Sequence, residues 1–212
     1  MDISNARNDV NNEKKLIQTG NNRKKISAIM EIITLPKVIF SGNSLVGPSV
    51  KKLTRTIGDL EGLFNDQKAF EEQDPGRTAY EVESYFPVPE GTEGGLFFGV
   101  TRLQPGLIGN EYMMTKGHSH VLKNRAEFYW GIEGEGMMLF MDNDRNTWAE
   151  KIFPGSLHYI KGFTAHRVAN TGEAALSFGA CWPSDAGHNY DLIAKHGFSK
   201  RLMKINGVPQ LA

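Results

Sequence analysis

From Tyr80 onward the chain runs in short apolar or alternating stretches: YEVESYF, GLFFGVTRL, NEYMMT, EFYWGI, GMMLFM, TWAEKIF, LHYI, HRVAN and ALSFGACW. Gly, Pro, Asn and Asp separate them. Alternation with a period of two puts successive side chains on opposite faces of a strand, so many short runs with regular punctuation predict an all-β barrel or sandwich. Upstream, Val50, Leu53, Ile57, Leu60 and Leu63 recur at steps of three and four. That spacing predicts an amphipathic helix over 50–64, with Gly58 and Gly62 acting against it. The stretch QDPGRT at 73–78 is a turn signal. Near the end, Asp185 is placed to cap a short helix carrying Tyr190, Leu192, Ile193 and Ala194, and Gly197 to stop it.

Residues 1–25 are rich in Asn, Lys and Arg and poor in large apolar residues, which predicts a disordered or weakly ordered arm. Residues 26–46 hold the apolar patches IMEII and VIF on either side of Pro36 and read as extended segments covering part of the body. Residues 26–212 are then one domain. A content of 40% hydrophobic and 23% charged residues over 212 positions agrees with one sizeable core. The 24 basic and 24 acidic residues cancel, so charge favours neither nucleic acid nor an anionic membrane as partner. No apolar run reaches the roughly 18 residues of a membrane span. The first twenty residues lack the apolar core of a secretory signal, and a lone Cys181 forms no internal disulfide. Both point to the cytoplasm.

Candidate chemistry sits in GHSHVLKNRAE at 117–127. His118 and His120 are two apart, so a strand presents both imidazoles on one face. Glu127 lies beyond a turn, and His166 in TAHRVAN offers a third imidazole. Three neutral nitrogens and one carboxylate suit Fe²⁺, Mn²⁺, Co²⁺, Ni²⁺ or Zn²⁺. Alternation places Glu127 and Tyr129 together on the interior face. It turns Thr115 and Gly117 away from His118 unless the chain bends near Gly117. Lys116 has two readings, a solvated lysine or a cation near an anionic ligand. His158 and His196 read as surface or structural.

The His-x-His pair followed by Glu127 and Gly134, then Gly155 and His166, resembles the two motifs of the cupins, small β-barrels that hold a metal inside. Tyr112, Lys161 and Phe163 depart from the general pattern, as do the six residues between His120 and Glu127. The strings TKGHSH, RAE-x-Y, AHR-x-x-N, PSDAGHNY and GFSK, with SVKKLTRTIGDLEG and DPGRTAYEV upstream, resemble a narrower family, the cupin-type phosphoglucose isomerases of archaea and some bacteria. The resemblance runs from about residue 49 to about residue 205. It implies a jelly-roll-like cupin β-barrel with an N-terminal extension and a few short helices. It implies a homodimer that interconverts glucose 6-phosphate and fructose 6-phosphate, with one divalent metal per subunit, Fe²⁺ first among those named. His118, His120, Glu127 and His166 match the family's metal ligands. Thr101, Thr115 and Gly117 match positions at the phosphate end, and Tyr80, Tyr129, His188 and Tyr190 match residues around the sugar. Trp182 stands where the family has tyrosine.

Such an isomerisation moves hydrogen between adjacent carbons while a carbonyl and a hydroxyl exchange places. A divalent cation on both oxygens would serve proton or hydride transfer as a Lewis acid. A proton route needs a base within reach, for which Glu127 is the candidate; His188 could shuttle protons or help open the ring. Two alternatives keep the same donor set: a cupin dioxygenase, and a sugar-phosphate-binding cupin without catalysis.

Overall fold

The structure, a computed structural model, describes residues 34–212, and Val38–Ala212 form one compact unit. The arm expected at 1–25, and residues 26–33 of the covering segment, lie outside the described residues.

The chain begins with a hairpin, β1 (Ile39–Ser41) and β2 (Ser44–Val46), followed by β3 (Val50–Thr56), β4 (Thr78–Tyr85) and β5 (Leu96–Leu103). Three short pieces follow, β6 (Leu107–Ile108), β7 (Glu111–Tyr112) and β8 (Ser119–His120), and then the longer β9 (Glu127–Glu133). Next come β10 (Gly136–Met141), β11 (Thr147–Ile152), β12 (Leu157–Ile160), β13 (Ala165–Asn170) and β14 (Leu176–Pro183). The chain closes with β15 (His188–Asn189), β16 (Leu202–Ile205) and β17 (Val208–Leu211). The apolar runs read from sequence thus become strands almost one for one.

Pairing is antiparallel throughout. One sheet has the order β12-β9-β14-β5-β4-β3, a second β11-β10-β13, a third β17-β16-β7-β6, and β15 pairs with β8. The result is a jelly-roll-like sandwich of sheets, in keeping with the resemblance to cupins, although among the described residues no sheet closes on itself into the expected barrel. Its interior is a single hydrophobic cluster that includes Leu103, Met138, Phe140, Ile160, Val168 and Phe178. Phe140 lies opposite His166 in register and stacks on Trp148 at 5.2 Å. A packed ring of that kind fixes the strand carrying His166; truncating it to alanine would cost about 3–5 kcal/mol.

Two expectations are corrected. Residues 50–64 are not a helix. Val50–Thr56 pair with β4 along their whole length, and only Gly58–Leu60 make a 3-10 turn. Val50, Thr54 and Thr56 are β-branched and Gly58 is a poor helix former, so the edge of a large sheet outcompetes the three-four spacing. Ile57 and Leu60 are still buried, which is why the spacing looked amphipathic. The helix near the end exists, Asp191–His196, and Gly197 stops it with φ 60°. Asp185 does not cap it. Asn189 Oδ1 accepts from the Asp191 N–H at 3.0 Å, while Asp185 is held by Arg125 at 2.6 Å. Among the described residues no helix is long and apolar enough to cross a membrane.

Candidate metal centre and its cavity

The segment from Met113 to His120 runs along β13 rather than as a continuous strand. Met114 bridges Ala169, and His118 bridges His166. Thr115 N–H donates to the Val168 carbonyl at 2.8 Å. Between these anchors Gly117 takes a φ of 73°, a left-handed conformation that glycine adopts without strain. This is the bend that alternation demanded, and it brings Thr115 and Gly117 onto the same cavity as His118.

His118, His120, Glu127 and His166 each offer a donor atom, and the four atoms lie within 4.8 Å of one another. Glu127 Oε1 is 3.0 Å from His120 Nε2 and 2.7 Å from His166 Nε2. Neither approach has hydrogen-bond angles: these three atoms and His118 Nε2 are buried without a partner. Buried polar atoms are almost always satisfied, so four orphans turned on one point mark a place for a cation. The tautomer agrees at His120, whose Nδ1 faces the Arg125 carbonyl at 2.8 Å and so leaves Nε2 as the lone-pair nitrogen. Burial pushes the Glu127 carboxyl up, but the imidazoles of His166, His120 and His118 outweigh it and hold the group well below the usual carboxylate range. Burial pushes His118 well below an ordinary imidazole, which keeps it neutral. The donor set fits one divalent metal ion.

His118 and His166 face a cavity of about 340 Å³, whereas His120 and Glu127 sit behind them, outside its lining. Every substrate-site candidate read from sequence lines that cavity: Tyr80, Thr101, Thr115, Gly117, Tyr129, His188 and Tyr190. The His188 ring lies 4.4 Å from His118 and stacks on Tyr190 at 6.0 Å. Burial pushes His188 down and the Tyr80 and Tyr129 phenols up, so all three are neutral near pH 7. Trp182 also reaches the cavity, edge-on to His188 at 6.2 Å. Lys116 lines it as well.

Sequence reasoning missed two cations of the lining, Arg55 and Arg167. Arg55 lies in the stretch read as a helix, and only its pairing opposite Tyr80 on β4 shows which way it faces. Arg167 follows His166 in the AHR string, where its neighbour drew the attention. Burial pushes its guanidinium down to about 10, which leaves it charged at neutral pH.

Comparison with known proteins gives the chain a family. The family model "Glucose-6-phosphate isomerase (GPI)" matches residues 54–210. The glucose-6-phosphate isomerase of Pyrococcus abyssi is 41% identical over 169 residues, 78% of this chain and 87% of that protein. That of Thermococcus litoralis is 41% identical over 163 residues, 75% of this chain and 84% of the relative. A putative glucose-6-phosphate isomerase 2 of Rhizobium meliloti is 36% identical over 162 residues, covering 75% and 80%. Among solved structures, an oxalate oxidase in complex with glycolate aligns with 72% of this chain and 60% of its own at a TM-score of 0.41 and 10% identity, too distant to bear on the reaction. By the family model and by these relatives, the chain belongs to the cupin-type glucose-6-phosphate isomerases.

Proposed function

We propose that the chain interconverts glucose 6-phosphate and fructose 6-phosphate in this cavity, with His118, His120, Glu127 and His166 holding one divalent ion. The observation that carries it is the convergence of four buried, unpartnered donor atoms beside a cavity whose lining also holds cations and hydroxyls. The bound ion would supply Lewis acidity to the two substrate oxygens that exchange carbonyl and hydroxyl character. Three nitrogens and a carboxylate suit Fe²⁺, Mn²⁺, Ni²⁺, Co²⁺ and Zn²⁺ alike, and the family resemblance puts Fe²⁺ first.

The chain's own groups do the rest. Thr101, Thr115 and Gly117 take the phosphate end, with Lys116 and Arg55 adding positive charge there. Tyr80, Tyr129 and Tyr190 orient the sugar. His188, neutral and beside His118, can accept a proton from one sugar oxygen and return it to another. In a proton route Glu127 is the base; in a hydride route it serves as ligand alone. The reaction in D₂O separates the two, because only the proton route carries solvent deuterium into the product carbon.

The outer face of the six-stranded sheet favours a homodimer. Phe128 pairs with Tyr159 across strands at 5.2 Å, and Leu157 lies opposite Trp130. Phe128, Phe153, Leu157 and Tyr159 are all exposed, and contiguous apolar surface of that kind marks an interaction face. The β1–β2 hairpin leaves Ile39, Phe40 and Val46 exposed as well. A single cysteine suits a reducing compartment, the cytoplasm.

The decisive test is a coupled assay of purified protein for conversion of fructose 6-phosphate to glucose 6-phosphate. Activity should vanish with a chelator and return with Fe²⁺ or Mn²⁺. Metal-replete protein that binds the sugar phosphate tightly without turning it over would instead be a sensor, and the isomerase proposal would fail.

A further inference from the structure

Arg167 follows His166 on β13, yet its side chain takes no part in the metal cluster. Its residue is 5% exposed. Among the described residues no carboxylate lies within ion-pair distance of it. The neighbouring Glu111 is already committed, to Arg201 Nη1 at 2.8 Å and to the Asn65 N–H at 2.6 Å. The contacts Arg167 does make are weak and neutral: Nη1 points at Met114 Sδ at 2.7 Å, the guanidinium lies 4.5 Å over the Phe198 ring, and Nε is buried with no partner. An isolated buried cation is costly, so a positive charge kept here needs an anion or a task.

The remaining contact shows the task. Arg167 Nη2 donates to the Lys116 carbonyl at 2.8 Å. A trans peptide is planar, and its C=O and N–H point in opposite directions. With the Lys116 carbonyl held by Arg167, the Gly117 N–H points away from that guanidinium, and both residues line the cavity. Among the described residues that N–H donates to no acceptor. The seat is close: a Cβ on Gly117 would come within 2.9 Å of Arg167 Cβ and Nε.

We propose that Arg167 is a positioning residue for the substrate phosphate: by holding the Lys116 carbonyl it turns the Gly117 N–H into the cavity and sets an unneutralised positive charge beside it. The bound phosphate, with nearly two negative charges at neutral pH, compensates that charge in turn. This rests on the assignment of that end of the cavity to phosphate.

The test compares wild type with Arg167→Met, which keeps the bulk and removes the charge and the fork, and with Arg167→Lys, which keeps only the charge. The Met variant should raise KM for fructose 6-phosphate about 10- to 100-fold, the span of a lost charged hydrogen bond, with metal content unchanged. Its kcat should stay within about threefold of wild type, as expected when binding common to ground and transition states is lost. By calorimetry, affinity for a five-carbon phosphorylated aldonic acid should fall by the same factor as KM rises. The same acid without its phosphate should bind as before, which a merely structural role would not produce. The Lys variant should lie between, about 3- to 10-fold weaker for the phosphorylated acid alone, and it carries the test if the Met variant does not fold. An unchanged KM, or an equal loss for both acids, overturns the proposal. Wild type that fails to isomerise rejects the isomerase assignment instead; active wild type beside unaffected variants rejects only the role of Arg167.

Discussion

His118 and His166 exchange both backbone hydrogen bonds, 3.0 Å from the His118 N–H to the His166 carbonyl and 2.9 Å in return. Residues paired in this way in antiparallel segments project their side chains from the same face, and here the rings stand 4.3 Å apart. The main chain therefore sets the spacing of two imidazoles, and the frame does not depend on the rings themselves.

Removing one ring should then empty the site without unfolding it. His166→Ala is expected to lose bound metal, measured by elemental analysis, and at least about 100-fold in isomerase activity. Its circular dichroism should match that of metal-free wild type. Full metal content in the variant would show that the cluster is not the site.

His188 lies against the cluster but offers no atom to it. His188→Gln should keep wild-type metal content and lower kcat by about 100-fold or more, the usual yield of a positioned acid–base group. A variant with unchanged kcat would confine His188 to packing against Tyr190.

Arg125 ties two parts of the site together. Its carbonyl faces His120 Nδ1, and its side chain grips both oxygens of Asp185, at 3.0 and 2.6 Å, just before His188. The Arg125 guanidinium holds the Asp185 carboxyl below its usual range. The folded value is thus lower than the unfolded one, so the pair's stabilisation is present above the ordinary carboxylate pKa and is lost as pH falls through the folded value. Asp185→Asn should melt below wild type at pH 7, and the gap should close below about pH 4. At pH 7 its kcat/KM should drop several-fold with metal retained. A melting gap that persists in acid would mean that the ion pair is not its source.

Light scattering should find a dimer in solution. Phe128→Glu together with Tyr159→Glu, on the exposed sheet face, should shift it to monomer, because two buried like charges would face a second copy. A wild-type monomer, or a dimer indifferent to both changes, would remove that face from consideration.

Much of this was legible along the chain because strands and donors are local properties. The nine apolar runs after Tyr80 fall on strands since period-two alternation needs no knowledge of partners. The bend at Gly117 was legible too, because regular alternation would have turned Thr115 and Gly117 away from His118. The helix expected over 50–64 was not sound. A three-four spacing of Val50, Leu53, Ile57 and Leu60 does not reveal that β4 is waiting to pair with those residues. Misreading that strand also hid Arg55. Asp185 had the right chemistry for a cap, but Arg125, distant in sequence, is the stronger partner in space.

By itself, then, the sequence determined the all-β class, the separation of the strands and the four candidate metal donors, all of which follow from residue type and spacing. Only the tertiary structure decided that the donors meet beside one cavity, that its lining includes Arg55, and that Arg167 holds the Lys116 carbonyl. These depend on which strands pair and in what register. That is settled by the closing of a common core, where contacts between residues far apart in the chain outweigh local preference.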